Sequence, residues 1–368
     1  MSTSNTTLEL SEMNRKIGQI FMAGIPGTHL DKGTEALIRD YNLGGIILFS
    51  RNIEHPVQVA TLCREIKHIS MKYHGGSLFL AVDQEGGRVS RLREPFTLFP
   101  GNAAIGMDAQ PEEKAMEYSV TTAREMKLVG LNMNLAPVVD VRRGDPEKHL
   151  TGRIFSDNPD VVAHLGRTIV RSLQENGVMA VAKHFPGLGR ASVDPHFELP
   201  KIELSMDELE NINLTPFRAA IEEGVSAIMT SHAIYPALES DRPATLSSMV
   251  LTQLLRERMG FEGLVLTDDL EMGAIAKHWG VAEGALASFE AGADILLVCK
   301  EQENVLDSIN LIRSRFLKGE ISPQRLEQSL ERIMKARSKF LGEQEEISLA
   351  KVKEYFRLPK NTLNTRHG

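Results

Sequence analysis

Eight short apolar runs recur along the 368-residue chain and alternate with longer amphipathic stretches, and this alternation constrains the fold most strongly. Each run is too short for a helix and is dense in Val, Ile, Leu or Met. Continuous apolar character indicates strands that are buried on both faces, as in a parallel sheet. The predicted strands are Gln19–Ala23, Gly45–Phe49, Leu78–Val82, Leu131–Leu135, Met179–Ala182, Ala227–Thr230, Leu264–Thr267 and Ile295–Val298.

Amphipathic segments lie between these runs, and several begin with proline, which is favoured in the first turn of a helix. Eight strands that alternate with helices predict an α/β fold of the (β/α)₈ TIM-barrel class, whose usual length is about 250 residues plus insertions. A doubly wound open sheet is the alternative, although no GxGxxG motif follows the first strand. The predicted helices include Pro56–Ser70, Pro111–Leu128, Pro159–Asn176, Asp207–Glu223 and Val281–Glu290.

The chain after Val298 is predicted to be helical over Glu303–Lys318 and Ser322–Leu341. Ser322-Pro323 offers a cap and a first-turn proline for the second of these helices. Because no Gly/Ser linker or low-complexity segment occurs, we expect a single domain over residues 1–368 with a helical C-terminal extension from about residue 303. The charged stretch Glu343–Gly368 is expected to pack loosely or to form an extra terminal helix.

The charge balance and the cysteine content exclude several classes of protein. Forty-two Lys and Arg residues against 49 Asp and Glu residues give a net charge of −7, which leaves no basic excess for nucleic acid. Only Cys63 and Cys299 are present, which fits a reducing compartment. The N-terminus lacks the pattern of a secretory signal, and no apolar run approaches the roughly 20 residues of a membrane helix. We therefore expect a cytoplasmic protein without a membrane or nucleic-acid partner.

Charged or histidine-containing groups directly follow four of the eight predicted strands. In a barrel, the carboxyl ends of the strands carry the active site. A single polar loop is explained by solvation, whereas four loops at equivalent positions favour a functional site. The four groups begin at Asp83, Lys183, Ser231 and Asp268.

Two of these regions contain residue pairs that suit acid–base and nucleophilic chemistry. A carboxylate at the end of a buried strand is costly without a partner or a chemical role. We assign that role to Asp268, which is nearer the strand, and expect Asp269 to cap a helix that starts near Leu270. In the loop after the fifth predicted strand, Asp194 lies two residues before His196. An Asp can orient a His so that it acts as a general acid near neutral pH.

The loop before this pair has the composition of a mobile segment. Glycines flank Leu188, so the segment Gly187–His196 is predicted to close over the site as a lid. A metal held by His184 and His196 would call for tighter or helical spacing, and no HExxH motif occurs. The sequence therefore predicts no metal site.

Several segments of the chain together resemble glycoside hydrolase family 3, and in particular its single-domain β-N-acetylglucosaminidases. The resemblance extends from about Ile17 to Ala336. A Lys-His-Phe-Pro-Gly segment with a downstream Asp-x-His separates this branch from the β-glucosidases of the family, which lack that pair. The matching segments run over residues 44–49, 81–91, 183–187, 194–196, 243–247 and 267–272.

The resemblance implies a role for each matching residue. Asp268 matches the catalytic nucleophile, His196 matches the acid/base, and Asp194 matches its orienting partner. Two positions depart from the family pattern: Leu188 replaces the His of Pro-Gly-His-Gly, and Pro195 replaces the Ser of Asp-Ser-His. The residues that match the sites holding the terminal sugar are Asp83, Arg91, Arg153, Lys183 and His184.

The same resemblance implies an activity, which is retaining exo-hydrolysis of terminal, non-reducing β-linked N-acetylglucosamine. In bacteria the substrate would be a small carbohydrate, a peptidoglycan (anhydro-muropeptide) fragment. No cofactor is implied, and we expect a monomer. One class of alternative is a β-glucosidase, a broad β-hexosaminidase or a phosphorylase of the same family. The other is a catalytically inactive barrel that acts as a sugar-binding or regulatory protein.

Overall fold

Eight parallel strands close into a barrel in which each strand pairs with its neighbours along the chain and the first strand pairs with the last. The computed structural model describes residues 3–144, 147–342 and 346–359. The TIM-barrel prediction is confirmed, and the open-sheet alternative is wrong. The strands are β1 (Phe21–Gly24), β2 (Gly45–Leu48), β3 (Phe79–Val82), β4 (Met133–Asn134), β5 (Met179–Phe185), β6 (Ala227–Thr230), β7 (Leu264–Asp269) and β8 (Ile295–Val298).

The strands are buried along nearly their whole length, as the continuous apolar runs predict. Every residue of β1, β2, β3, β6 and β8 is buried. Each side chain in these strands therefore faces either the barrel interior or the surrounding helices, and neither side meets water. This burial accounts for the absence of polar alternation in the sequence.

Two strands continue past their predicted ends into polar residues. Strand β5 runs to Phe185 instead of Ala182, and β7 runs to Asp269 instead of Thr267. In β5, Lys183 pairs with Met229 of β6, and a register shift follows. The charged side chains do not end these strands, because the barrel mouth supplies partners for them and the backbone pairing continues.

Helices surround the barrel and connect successive strands. The helices Pro56–His74, Pro111–Leu128, Pro159–Glu175 and Val281–Ala291 begin at their predicted residues. The other α-helices are Thr3–Gly18, Lys32–Tyr41, Asn102–Gly106, Met206–Glu208, Leu214–Glu222, Gly273–Ala276, Gln302–Leu317, Pro323–Leu341 and Leu349–Tyr355, and Leu209–Asn213 and Met249–Arg258 are π-helical.

The predicted helix Asp207–Glu223 is divided into three parts. An α-helical turn at Met206–Glu208 is followed by the π-helical segment Leu209–Asn213 and then by the α-helix Leu214–Glu222. Pro216 has no N–H and removes one hydrogen bond from an α-helical ladder, so a regular helix cannot run through this stretch.

The helix Pro323–Leu341 is fixed to the N-terminal end of the barrel by a buried carboxylate. Ser322 caps this helix and Pro323 occupies its first turn, as predicted. Asp294, which is fully buried just before β8, accepts a hydrogen bond from the Ser329 hydroxyl at 2.7 Å and forms ion pairs with Arg256 and Arg332. These contacts lie at the end of the barrel opposite the polar strand ends.

The charged stretch Glu343–Gly368 contains the predicted extra helix. Leu349–Tyr355 is helical and packs against Pro56–His74, with Val352 fully buried. Residues 343–345 and 360–368 lie outside the described part of the chain. The single-domain organisation stays a prediction. Within the described ranges, no helix combines the length and the apolar character needed to cross a bilayer.

Candidate active site

The carboxyl ends of the barrel strands converge on a pocket of about 340 Å³. Side chains from β2, β5, β6, β7 and β8 line it, together with loops that follow the barrel strands. All eight residues predicted from the sequence contribute to its wall, although they come from segments far apart in the chain. They are Asp83, Arg91, Arg153, Lys183, His184, Asp194, His196 and Asp268.

Asp268 lies near the end of β7 with its carboxylate partly exposed to the pocket. Its Oδ1 accepts a hydrogen bond from the backbone N–H of Asp269 at 2.8 Å. Burial raises the pKa of this carboxyl, but the nearby imidazoles of His232 and His184 outweigh burial and hold the pKa below its ordinary value of 3.8. Asp268 is therefore ionised at neutral pH, as a nucleophile must be.

The predicted capping role of Asp269 is wrong. The following helix begins at Gly273, and Met272 precedes it without a side-chain cap. The Asp269 Oδ1 instead accepts from the backbone N–H groups of Glu271 at 3.1 Å and Cys299 at 3.2 Å, which ties the end of β7 to the end of β8. Burial, with the charges of Glu271 and Asp268, raises the pKa of Asp269 to about 6.

A chain of opposite charges forms the floor of the pocket. The Lys183 Nζ lies 2.7 Å from both Asp83 Oδ1 and Glu85 Oε1. Arg153 donates two hydrogen bonds of 2.8 Å to the Glu85 carboxylate. Arg91 approaches the other oxygen of Asp83 at 3.7 Å. The four predicted sugar-binding residues in this group are thus held by one another and by Glu85, which the sequence analysis did not select.

Glu85 is fully buried, and its ionisation depends on this network. Burial raises its pKa, but the charges of Arg153 and Lys183 outweigh burial and hold the pKa well below 4.5. The sequence contained a signal for Glu85, because residues that are two positions apart in an extended segment face the same side. Glu85 therefore shares the side of Asp83. The chain then reverses in a turn at Gly86 and Gly87, both of which have positive φ. A Cβ on residue 87 would lie only 2.9 Å from the backbone of Gly101, so a larger residue does not fit there.

Replacing Glu85 by glutamine is expected to lower the free energy of unfolding by about 3–5 kcal/mol, because Arg153 and Lys183 would keep buried charges without full compensation. Since the folded-state pKa of Glu85 lies below 4.5, this stabilisation is complete above about pH 4.5 and is lost as the pH falls below it. Denaturant titration measures the change. The exposed pair Lys114–Glu117 is the control, and Glu117→Gln should cost far less. Equal losses would refute the buried network.

His184 is held in one orientation by a carboxylate that the sequence analysis also missed. Its Nδ1 lies 2.8 Å from Asp140 Oδ2, and the other oxygen of Asp140 accepts the N–H of Leu188 at 2.6 Å. A carboxylate only accepts, so the Nδ1 of His184 donates, and this bond fixes the orientation of the ring. Asp140 follows the apolar pair Val138-Val139, the same signal that marked Asp268 after its strand.

Asp194 and His196 form the predicted pair at the rim of the pocket. The His196 Nδ1 lies 2.7 Å from Asp194 Oδ1, which also accepts the backbone N–H of His196 at 2.9 Å. The imidazole is 59 % exposed and the carboxylate 20 %. Burial raises the pKa of Asp194, but the hydrogen bonds from His196 outweigh it and lower the pKa below 3.8. The arrangement presents the Nε2 of an oriented imidazole for proton transfer.

The predicted lid Gly187–His196 is anchored at both ends. Leu188 is buried against the pocket and bonded to Asp140. At the other end, the carbonyls of Pro195 and His196 accept the N–H groups of Ala274 and Gly273 at 3.1 and 2.9 Å. Mobility of the segment stays a prediction. Opening would break these two bonds as well as those that the Gly189 and Ala191 carbonyls accept from the N–H groups of Arg143 and Glu147. The position of Leu188 supplies an apolar wall where the family pattern has an imidazole.

His232, which follows β6, is buried next to the site and fixes the backbone beside Asp268. Its Nε2 donates to the backbone carbonyl of Asp269 at 2.9 Å, and its Nδ1 lies 2.8 Å from the Thr245 hydroxyl. Burial lowers the pKa of His232, so the ring is neutral at pH 7. The sequence analysis singled out Ser231-His232 as a polar strand end but assigned it no role.

The pair considered from the sequence as metal ligands, His184 and His196, is engaged with two different carboxylates. Within residues 3–144, 147–342 and 346–359, one other group brings three ligand-type side chains together. A ring nitrogen of His149 and carboxylate oxygens of Glu147 and Asp194 lie within 4.8 Å of one another. The sequence analysis did not find this group, because Asp194 is more than forty residues from the other two.

Comparison with known sequences places the chain in one family. The model of the glycosyl hydrolase family 3 N terminal domain matches residues 12–336. "Beta-hexosaminidase A" of Pseudoalteromonas piscicida is 36% identical over 287 residues, which cover 74% of this chain and 48% of that protein. The β-hexosaminidase of Neisseria gonorrhoeae (strain NCCP11945) is 37% identical over 290 residues, covering 77% and 79%. The chain thus spans about half the length of the first relative.

Two of the solved structures that superpose on this chain illustrate the similarity. A glycoside hydrolase family 3 β-N-acetylglucosaminidase from Paenibacillus sp. str. FPU-7 superposes with a TM-score of 0.87 and is 39% identical, covering 89% of this chain and 62% of that one. NagZ from Neisseria gonorrhoeae in complex with N-trifluoroacetyl-D-glucosamine gives a TM-score of 0.76 at 33% identity, covering 92% and 93%.

Proposed function

Because this chain belongs to glycosyl hydrolase family 3, we propose that it is a retaining exo-β-N-acetylglucosaminidase that removes terminal, non-reducing β-linked N-acetylglucosamine. One observation carries the proposal. An ionised carboxylate, Asp268, shares a single pocket with the hydrogen-bonded pair Asp194 and His196. A nucleophile and a separately oriented proton donor are the two groups that a double-displacement glycosidase needs.

In the first step, the Asp268 carboxylate attacks the anomeric carbon and the bond to the leaving oxygen breaks. His196 gives its proton to that oxygen, so the aglycone departs as a neutral alcohol. In the second step, neutral His196 takes a proton from water, which attacks the same carbon and releases Asp268. Two displacements retain the β configuration.

A histidine suits the acid/base position in this pocket. The floor already carries the carboxylates of Asp83 and Glu85, and Asp268 adds a third negative charge. A neutral base avoids bringing a further anion close to Asp268 when water must be deprotonated. Asp194 keeps the Nδ1 proton of His196 in place, so that the Nε2 atom faces the reaction.

The size of the pocket and the charges on its floor support binding of one terminal sugar. Its volume of about 340 Å³ is near the lower end of ligand pockets, which span about 300–1,000 Å³. Asp83 would accept hydrogen bonds from sugar hydroxyls, while Lys183 and Arg91 would donate to hydroxyl or acetamido oxygens. Arg153 would act mainly by holding Glu85, since its guanidinium already forms a two-bond pair there.

The proposed substrate in the cell is a peptidoglycan fragment in which N-acetylglucosamine is linked to anhydro-N-acetylmuramic acid or its peptides. NagZ from Neisseria gonorrhoeae, solved with N-trifluoroacetyl-D-glucosamine, supports an amido sugar in this pocket. Action in the cytoplasm as a monomer would suit the recycling of wall fragments, and both remain part of the proposal.

Hydrolysis of a panel of aryl β-glycosides tests the function directly. We expect turnover of the β-N-acetylglucosaminide to exceed that of the β-glucoside, with equal rates in phosphate and in a phosphate-free buffer. A preference for the β-glucoside would favour a β-glucosidase. A rate that rises with phosphate and yields a sugar phosphate would identify a phosphorylase. Binding of N-acetylglucosamine without turnover of any substrate would identify an inactive sugar-binding barrel.

A further inference from the structure

Behind the Asp194–His196 pair lies a second group of titratable side chains, which the proposed reaction does not use. Glu147 and His149 stand on the loop that follows β4, beside Asp194. The His149 Nδ1 lies 2.7 Å from Glu147 Oε2, and the imidazole lines the pocket. We propose that Glu147, His149 and Asp194 form a binding site for a divalent transition-metal ion such as Zn²⁺, and that the bound ion inhibits the enzyme.

The chemistry of the donor set fits such an ion. One imidazole nitrogen and two carboxylate oxygens are ligands that Zn²⁺ takes, and three protein ligands with an open fourth position are common for this ion. Nitrogen ligation favours Zn²⁺ or Cu²⁺ over Mg²⁺ and Ca²⁺, which prefer oxygen. The three ligand atoms already lie within 4.8 Å of one another, so small side-chain movements bring them to one centre.

The His149 side chain supplies an independent observation. It is only 8 % exposed, yet its Nε2 has no hydrogen-bond partner among the residues that the structure describes. A buried polar nitrogen without a partner costs free energy, and most such atoms in folded proteins are satisfied. With Glu147 and Asp194 beside it, the unpartnered nitrogen of this buried imidazole is available as a metal ligand.

The backbone that carries His149 is held in place. Arg88 donates hydrogen bonds to the carbonyls of Lys148 and His149 at 2.8 and 2.6 Å. The Glu147 N–H is bonded to the carbonyl of Ala191 in the loop that carries Asp194. The two loops are therefore tied together next to the ligand atoms, so that metal binding needs little reorganisation.

Inhibition follows from the double use of Asp194. In the proposed reaction this carboxylate orients His196 through the 2.7 Å hydrogen bond. A metal ion on the carboxylate competes for the same oxygens and pulls Asp194 toward His149. The imidazole of His196 then loses its orienting partner, and proton transfer to the leaving oxygen slows. The proposed inhibition therefore rests on the proposed function, whereas binding of the ion does not.

Calorimetric titration of the EDTA-treated protein with ZnCl₂ tests the site without substrate. We expect one Zn²⁺ per chain, no comparable binding of Mg²⁺, and an affinity at least about tenfold lower in Glu147→Gln, because loss of even an outer partner costs about 10–100-fold. The matched control is Glu112→Gln, which removes a carboxylate 3.2 Å from the exposed His164, where the described residues offer no third ligand. This variant should bind Zn²⁺ as the parent protein does.

Rates measured with and without Zn²⁺ test the inhibition. The EDTA-treated enzyme should be fully active, Zn²⁺ should slow it, and Glu147→Gln should need at least about tenfold more Zn²⁺ for the same slowing. If Glu147→Gln does not fold, His149→Leu removes the nitrogen ligand and serves the binding experiment. No stoichiometric binding, or equal affinity in parent and variant, overturns the site. Binding without any slowing overturns the inhibition and leaves the hydrolase proposal standing.

Discussion

Replacing Asp268 by alanine is expected to reduce kcat by about 10⁴-fold or more, since loss of a nucleophile removes the covalent route that divides one difficult step into two. The protein should keep its fold, because the Asp268 side chain is partly exposed to the pocket and, within the described part of the chain, accepts only the neighbouring N–H of Asp269. Steady-state rates on an aryl β-N-acetylglucosaminide, with circular dichroism melting curves, measure both effects.

The neighbouring carboxylate supplies the control for this experiment. Asp269→Asn keeps an oxygen that can accept the N–H groups of Glu271 and Cys299, so its loss of rate should be far smaller. An activated fluorosugar should also label Asp268 in the parent protein, as peptide mapping would show. Covalent label on Asp269, or near-parental turnover by Asp268→Ala, would contradict the assignment.

His196→Ala should slow substrates with poor leaving groups by about 10²–10⁴-fold and activated aryl glycosides much less. An activated phenolate departs without a proton, so the acid contributes little to its release. Rates for two leaving groups of different pKa, measured on the same preparation, give the comparison. Because the imidazole is 59 % exposed, its removal should leave the melting temperature nearly unchanged.

Asp194→Ala should give the same dependence on the leaving group, because the carboxylate acts through the imidazole. The competing interpretation is that Asp194 only caps the loop, since its Oδ1 also accepts the backbone N–H of His196. A purely structural role predicts a lower melting temperature and an equal loss on every substrate. Asp194→Asn keeps an acceptor for that N–H but not the negative charge, and it separates the two roles.

Local patterns were sufficient for the architecture of this protein. The eight apolar runs predicted the eight strands of the barrel, because a strand buried on both faces is apolar at most positions. The proline-initiated helices were found for a similar local reason, the fixed φ of proline. The strand ends were less accurate. Lys183 and Asp268 were predicted to follow their strands but lie within them.

The wall of the pocket was also within reach of sequence reasoning. A closed parallel barrel brings every carboxyl strand end to the same mouth, so polar residues at those ends must meet. Asp83, His184 and Asp268 line one pocket for this reason. The spacing of Asp194 and His196 indicated an acid–base pair, and knowledge of the family pattern added Arg91 and Arg153.

The choice of partners depended on the fold. Lys183 contacts Asp83, a hundred residues away in the chain, and His184 contacts Asp140, forty-four residues away. Asp269 bonds to the N–H of Cys299 instead of capping the next helix. Hydrogen bonds and ion pairs act over a few ångströms, so they depend on which side chains the closed barrel brings into contact. Periodicity along the chain carries no information about such distances, which is why the partners of Glu85, Asp140 and His149 emerged only in three dimensions.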